Sequence, residues 1–404
     1  MKSRFQVLPL EGIVSFKTGK LNSNAAKPDG MFPFFTCSQE TYRTDTWSFD
    51  GEYVLLAGNN AAGIYPLKYF NGKFDAYQRT YAIRSIDHKR LFTRYAYYAL
   101  RLQLELMKSI STGVATKFLT LTLLNRTQIP VPPLPTQRKI AAILSAYDDL
   151  IENNTRRIKI LEEMAQAIYR EWFVHFRFPG HEKVQMVQSP LGPIPEGWGV
   201  LGAMENKNWS FIHQSMGPYE GVKRYYATAD IDGSTITGDG IEYTYSQKPS
   251  RAQKQPLLNS VWFARMQETY KVLAVAKPNA ILTTNSMLSS GFAGFEAPDG
   301  DSFAFLFLTI KSKEFHSEKD RYCTGATQRS LTNDGLSRIL TISPPRETVQ
   351  HFGRVAMSFV EMILALQQRN QTLRCTRDLL LPRLISGEVD VSELDIAVPE
   401  EAKA

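Results

Sequence analysis

Between Leu134 and Pro179 the apolar side chains fall at Leu144, Tyr147, Ile151, Ile158, Leu161, Ala165, Ile168 and Trp172, with Asn154 as the one polar member of the series. The steps alternate between three and four residues, which makes a heptad seam rather than the broader apolar face of an ordinary surface helix. Pro132, Pro133 and Pro135 block helix ahead of it, and Pro179-Gly180 ends it. The spacing predicts a helix from about Thr136 to Phe176, about 60 Å long at 1.5 Å per residue. So long a helix with so narrow a stripe needs a partner.

The chain supplies that partner by repeating itself. Thr112-Gly113 recurs at Thr324-Gly325, Leu119 at Leu331, Arg126 at Arg338 and Pro132-Pro133 at Pro344-Pro345, all at an offset of 212 residues. The same offset carries the seam to Ala356, Phe359, Ile363, Leu366, Asn370, Leu373, Arg377 and Leu380. A constant offset through a loop, a proline pair and a heptad phase marks a duplicated unit: globular domain, proline hinge, long helix, twice. Two such helices in one chain are expected to pair antiparallel. Asn154 and Asn370 are then expected at different levels, facing the equivalents of Leu366 and Ile158, and to fix the register.

The globular parts read as mixed and mostly β. In residues 1–131 the runs 32–38, 52–58 and 78–84 are expected strands, Pro28-Asp29-Gly30 and Asn71-Gly72 are turns, and 90–110 is a helix. Residues 132–180 form the central helix. Residues 181–345 form the second domain, opened by the Pro/Gly-rich stretch 189–198 as a linker, and 346–404 the second helix and tail. Within the second domain 224–231, 260–266 and 303–310 are expected strands, with turns at 298–300 and 333–335. The fold class is α+β: two mostly β domains, two long helices in an intramolecular antiparallel coiled coil, and a pseudo-two-fold repeat.

Charge is unevenly spread. Residues 1–130 hold 17 Lys and Arg against 9 Asp and Glu, whereas residues 181–345 hold 16 of each. A basic surplus suits a nucleic-acid partner, although solvated basic faces are common. Cys37, Cys323 and Cys375 match no metal-ligand spacing and fit a reducing cytoplasm. No stretch approaches about 20 uninterrupted apolar residues, and MKSRFQVLPLEG lacks a signal-peptide core, so no membrane partner is expected.

Motifs for catalysis are missing. The sequence contains neither G-x-G-x-x-G opening a helix nor G-x-x-x-x-G-K-[ST], and no Asn/Asp-Pro-Pro-aromatic tetrapeptide of an amino-methyltransferase. His88, His175, His181, His213, His316 and His351 stand singly, and the pairs Asp148-Asp149 and Glu162-Glu163 read as a solvated helix face. No catalytic or metal-ligating residue is assigned.

Four stretches carry a family resemblance: PPLPTQRKIAAIL (132–144), REWFVHFRFPG (170–180), LGPIPEGW (191–198) and LLLPRLISGEVDV (379–391). With the tandem architecture, they make the chain resemble the specificity subunit of type I restriction-modification systems. That resemblance implies a non-catalytic subunit whose two target recognition domains each read half of a split sequence in double-stranded DNA. It implies that the long helices set the spacer and dock two modification subunits. S-adenosylmethionine, ATP and Mg²⁺ would then belong to partner chains, with a restriction subunit adding translocation and cleavage. A specificity subunit of another defence or methylation complex, without a restriction subunit, stays open, as do an enzyme of unrecognised type and a structural adaptor.

Base edges are read by Arg or Lys at guanine and by Asn or Gln at adenine, while phosphates take cations and small polar groups. Loops rich in these types give the candidates. In the first domain they are Ser38, Gln39, Asn59, Asn60, Gln78, Arg79, Thr112 and Gly113 with Lys117. In the second they are Asp230, Arg265, Gln267, Asn285, Ser286, Thr324 and Gly325 with Gln328 and Arg329. The two Thr-Gly loops rank first, because they recur at equivalent positions and each is followed by a cation.

Overall fold

The computed structural model describes residues 4–59, 65–110 and 119–398. The chain divides into two compact units, one of residues 1–150 and 373–404, the other of residues 151–372.

In the first unit four antiparallel strands run in the order Val14–Thr18, Thr80–Ser85, Glu52–Ala57, Leu67–Asn71. The apolar run of Glu52–Ala57 is explained by burial on both faces. Val54 and Leu56 join Ile83 and the helix Thr93–Ile110 in one core, while Tyr53 and Leu55 pack with Phe35, Phe49 and Phe74 on the other side. Each such side chain contributes roughly 1.5–3 kcal/mol. Strand Val7–Pro9 pairs with Gln128–Pro130, just ahead of the long helix.

The second unit repeats the plan. Its sheet runs Ser210–Phe211, Phe292–Glu296, Ser260–Ala264, Val272–Val275, and Gly199–Gly202 pairs with Leu340–Ser343 ahead of the other long helix. The short helices Leu121–Arg126 and Asn333–Ser337 stand in equivalent places, each capped by a threonine: Thr120 accepts from Leu123 N at 3.3 Å and Thr332 from Gly335 N at 3.0 Å. A second sheet, Ile241–Tyr243, Lys223–Tyr226, Ser286–Ser289, Ala252–Lys254, has a parallel pair at its centre.

The long helices span Leu134–Phe173 and Arg346–Ser386. Pro135 lies inside the first turn rather than ahead of it, where its missing N–H costs nothing. In the second unit Asn154 sits on Asn370, Ile158 clusters with Ile363 and Leu366, and Trp172 meets Phe352 with ring centroids 5.5 Å apart. In the first unit Asp148 meets Arg377, and Ile140, Ala141 and Leu144 share a core with Leu381, Leu384 and Ile385. In both units a step forward along one helix is matched by a step back along the other, so the pairing is antiparallel. Ile151 and Ala165 are buried in the seam, and Tyr147, Leu161, Phe359 and Leu373 half-buried. The second helix has the length and hydropathy of a membrane span, but Ile363, Leu364 and Leu366 are buried inside the second unit.

Several expectations are corrected. Residues 303–310 are not a strand but most of the helix Gly300–Ile310, nucleated by Asp299, whose carboxylate accepts from Ser302 N at 2.7 Å. A short run apolar on every side does not distinguish helix from strand by periodicity, and this helix is buried all round. Residues 333–335 open a helix rather than forming a bare turn, and the strand at 224 ends at Tyr226. The stretch 189–198 is no plain linker: Met186–Ser189 pairs with Gly192–Pro195, and Trp198 packs on Phe173, Phe176 and Phe178. The asparagines are not at different levels. Asn154 Nδ2 donates to Asn370 Oδ1 at 2.9 Å, and Asn370 Nδ2 lies 3.3 Å from Thr155 Oγ1. Antiparallel pairing brings together two positions that the linear offset sets one step apart.

Candidate nucleic-acid interface

In the first unit two backbone hydrogen bonds and one thiol contact gather separate loops. Gly58 N donates to Arg79 O at 2.8 Å, Leu119 N to Gly58 O at 3.0 Å and Cys37 Sγ to Arg79 O at 3.6 Å. Gly58 is required there, since a Cβ would stand 2.8 Å from the Tyr81 ring and 2.9 Å from Arg79 O. The result is an open depression of about 390 Å³ lined by Asn59, Gln78, Arg79, Tyr81 and Thr120, with Gln78 and Arg79 exposed. Ser38 forms a turn, accepting from Glu40 N at 3.2 Å, and leaves Gln39 exposed beside it. Lys68, absent from the candidates, steadies that loop by donating to Glu40 O at 2.7 Å and Thr41 Oγ1 at 3.1 Å, and burial pulls its amine down to about 8. Asn60, Thr112, Gly113 and Lys117 lie outside the described residues.

In the second unit Cys323–Thr324 pairs with Ser330–Leu331, and residues 324–329 are all exposed at the tip of this hairpin. Gly325 turns the chain at φ +128°, a region that favours glycine. Gln267 is carried alongside: its N–H donates to Arg329 O at 3.0 Å, and Met266 bridges Ser330. Gln267, Gln328 and Arg329 thus share one edge, an arrangement able to contact base edges and phosphate together.

Three candidates have other work. Arg265 spends its guanidinium on Leu331 O at 2.9 Å and Asn333 Oδ1 at 2.7 Å, holding the hairpin from behind. Asp230 closes a turn by accepting from Ala227 N at 2.7 Å. Ser286 is corrected outright, being 1% exposed with its hydroxyl on Leu282 O, whereas its neighbour Asn285 is exposed.

Under the hairpin lies a cluster that the candidates omit. Lys319, His316 and Phe315 share the buried side of helix Lys313–Arg321, a placement that their spacing of three and four residues signals. His316 Nδ1 has no hydrogen-bond partner among the described residues, and burial, reinforced by Lys319, pushes its imidazole down to about 4 against the opposing pull of Asp320. The native unit therefore holds it neutral while an unfolded chain protonates near 6.5. Stability from this group is present above about 6.5 and is lost as pH falls toward 4, on the order of 1–2 kcal/mol by pH 5. His316→Phe is expected to reduce that acid loss, measured as the difference in Tm between pH 7 and pH 5.

With this geometry in place, comparison with known proteins finds a matching domain and several relatives. Residues 2–163 match the type I restriction modification DNA specificity domain. The EcoDI specificity subunit of Escherichia coli is 32% identical over 216 residues, 49% of this chain and 47% of that one. The MjaIX specificity subunit of Methanocaldococcus jannaschii is 26% identical over 323 residues, 75% of this chain and 70% of its own length. The chain thus spans about half of the first relative and over two thirds of the second. The S subunit of the type I restriction-modification system from M. genitalium shares the fold, with TM-score 0.58 at 16% identity over 95% of this chain and 96% of that one. Residues 2–163 thus carry a type I DNA specificity domain, and the chain is similar to type I specificity subunits.

Proposed function

We propose that the chain is the DNA-recognition subunit of a type I restriction-modification complex, with each unit reading one half of a bipartite target. The observation that carries this reading is the duplicated plan with amide and guanidinium side chains grouped in each copy, Asn59, Gln78 and Arg79 in one and Gln267, Gln328 and Arg329 in the other. The paired helices would fix the unread spacer. Two modification subunits would dock on the parts that repeat. In support, each unit carries a depression beside its proline pair, about 490 Å³ at Phe5, Pro132 and Pro133 and about 560 Å³ at Trp198, Pro344 and Pro345. Features kept in duplicate while the reading loops diverge suit two copies of one partner. S-adenosylmethionine, ATP and Mg²⁺ would be bound by those partners and by a restriction subunit, in the cytoplasm, and this chain would have no catalysis of its own.

Arg329→Ala is expected to weaken DNA binding and to reduce the slope of log K against log salt by about 0.9, one phosphate contact. Fluorescence anisotropy of the assembled complex across a salt series measures it, and an unchanged slope removes Arg329 from the phosphate contacts.

A further inference from the structure

Lys319 is a lysine with 0% side-chain exposure on an otherwise polar helix. Lysine is almost never fully buried unless paired, because removing its charge from water is costly. Here its Nζ donates to Met266 O at 2.9 Å and Thr269 O at 2.8 Å and lies 3.1 Å from Asp320 Oδ1. Asp320 accepts from Glu268 N at 3.0 Å and from the Tyr270 hydroxyl at 3.1 Å. Glu268, between these anchors, takes φ +55°, a conformation that a non-glycine residue keeps only when its surroundings impose it. The ammonium of Lys319 thus grips both ends of the 266–269 loop, and Asp320 beside it holds the same loop from its middle.

That loop is in turn the support of the exposed hairpin. Gln267 N donates to Arg329 O at 3.0 Å and Leu331 N to Arg265 O at 2.9 Å, and Met266 bridges Ser330. The connection therefore runs from a buried ammonium, through two carbonyls, to the backbone that carries Gln267, Gln328 and Arg329. Base readout discriminates only when donors and acceptors are held to a fraction of an ångström, so a strained loop at the reading edge needs a rigid base.

We propose that Lys319 is a positioning residue for DNA readout, fixing the 266–269 loop so that Gln267, Gln328 and Arg329 meet one half-site in a single register. This rests on the proposed DNA-recognition function and adds to it the residue that sets precision in the second unit. Lys319→Met keeps the length and apolar stem and removes the donors. Tyr270→Phe removes one bond to Asp320 from an exposed side chain and leaves the core intact.

The test uses the full chain co-expressed with its modification subunit, with methylated sites read by single-molecule sequencing. Lys319→Met is expected to lower discrimination against single mismatches in one half-site by roughly tenfold, the scale of one poorly read base pair, and to leave the other half-site unchanged. Tyr270→Phe is expected to relax the same half-site by a few-fold, and it decides the question alone if Lys319→Met does not accumulate. Unchanged preference in the folded variants overturns the proposal. So does equal relaxation of both half-sites, which marks a general loss of structure. A wild-type chain that directs no bipartite methylation overturns the recognition function itself and this assignment with it.

Discussion

Gly19→Ala is expected to destabilise the first unit by about 3 kcal/mol or more, at the upper end of single substitutions. A Cβ at this position would stand 1.7 Å from Ala76 O and 2.1 Å from Ala76 C, and backbone atoms have no rotamer by which to escape. The displacement would not stay local. Gly19 N approaches Thr80 O at 3.4 Å, and Gln78 N donates to Leu21 O at 3.0 Å, so the strand that must retreat carries Gln78 and Arg79 at its end. Denaturant titration of the variant should show the lost stability. On the proposed function, its DNA complex is expected to lose preference in the half-site assigned to the first unit before the other is affected. A variant with wild-type midpoint and wild-type preference would contradict the close approach on which the depression depends.

Arg377→Met is expected to cost about 3 kcal/mol, measured as a fall in the denaturant midpoint at unchanged m-value. Arg377 has 10% of its side chain exposed and Asp148 27%, so their contact at 2.5 Å is largely withdrawn from water. Among the described residues, removing the cation leaves Asp148 with the Tyr98 hydroxyl at 2.7 Å as its remaining hydrogen bond, an uncompensated charge between the two helices. The second partner of Arg377, Asp378, is 53% exposed and contributes little. Adding Asp148→Leu to Arg377→Met is expected to recover much of the loss, because a half-broken pair is worse than an apolar contact. A double variant as unstable as the single one would show that the arginine acts through its stem, by packing, rather than through its charge.

The long helices were legible from sequence because heptad spacing and flanking prolines act over tens of residues, and the duplication was legible because a constant offset survives divergence. Strand Glu52–Ala57 and helix Thr93–Ile110 followed from short-range pattern. Where one strong local signal competes with another, the pattern failed. The aromatic run at 303–310 looks like a strand, and the Asp299 cap, three residues ahead of Ser302, is the local signal for a helix. The Asn154–Asn370 contact is not legible because it depends on the register at which the antiparallel helices meet, which a linear offset does not encode. At the candidate interface, residue type alone pointed to side chains suited to DNA but not to their exposure: Ser286 is inside a sheet and Arg265 behind the hairpin. Lys319 is not legible in the sequence, because a lysine in a charged segment looks solvated until its three-dimensional neighbours are known.

On the proposed function, two units of one chain each read part of one DNA target. The most direct measurement is methylation mapping by single-molecule sequencing after the full chain is co-expressed with its modification subunit. A single motif made of two specified half-sites separated by a fixed unread spacer is the expected result. A continuous motif, or methylation that does not depend on this chain, would contradict it.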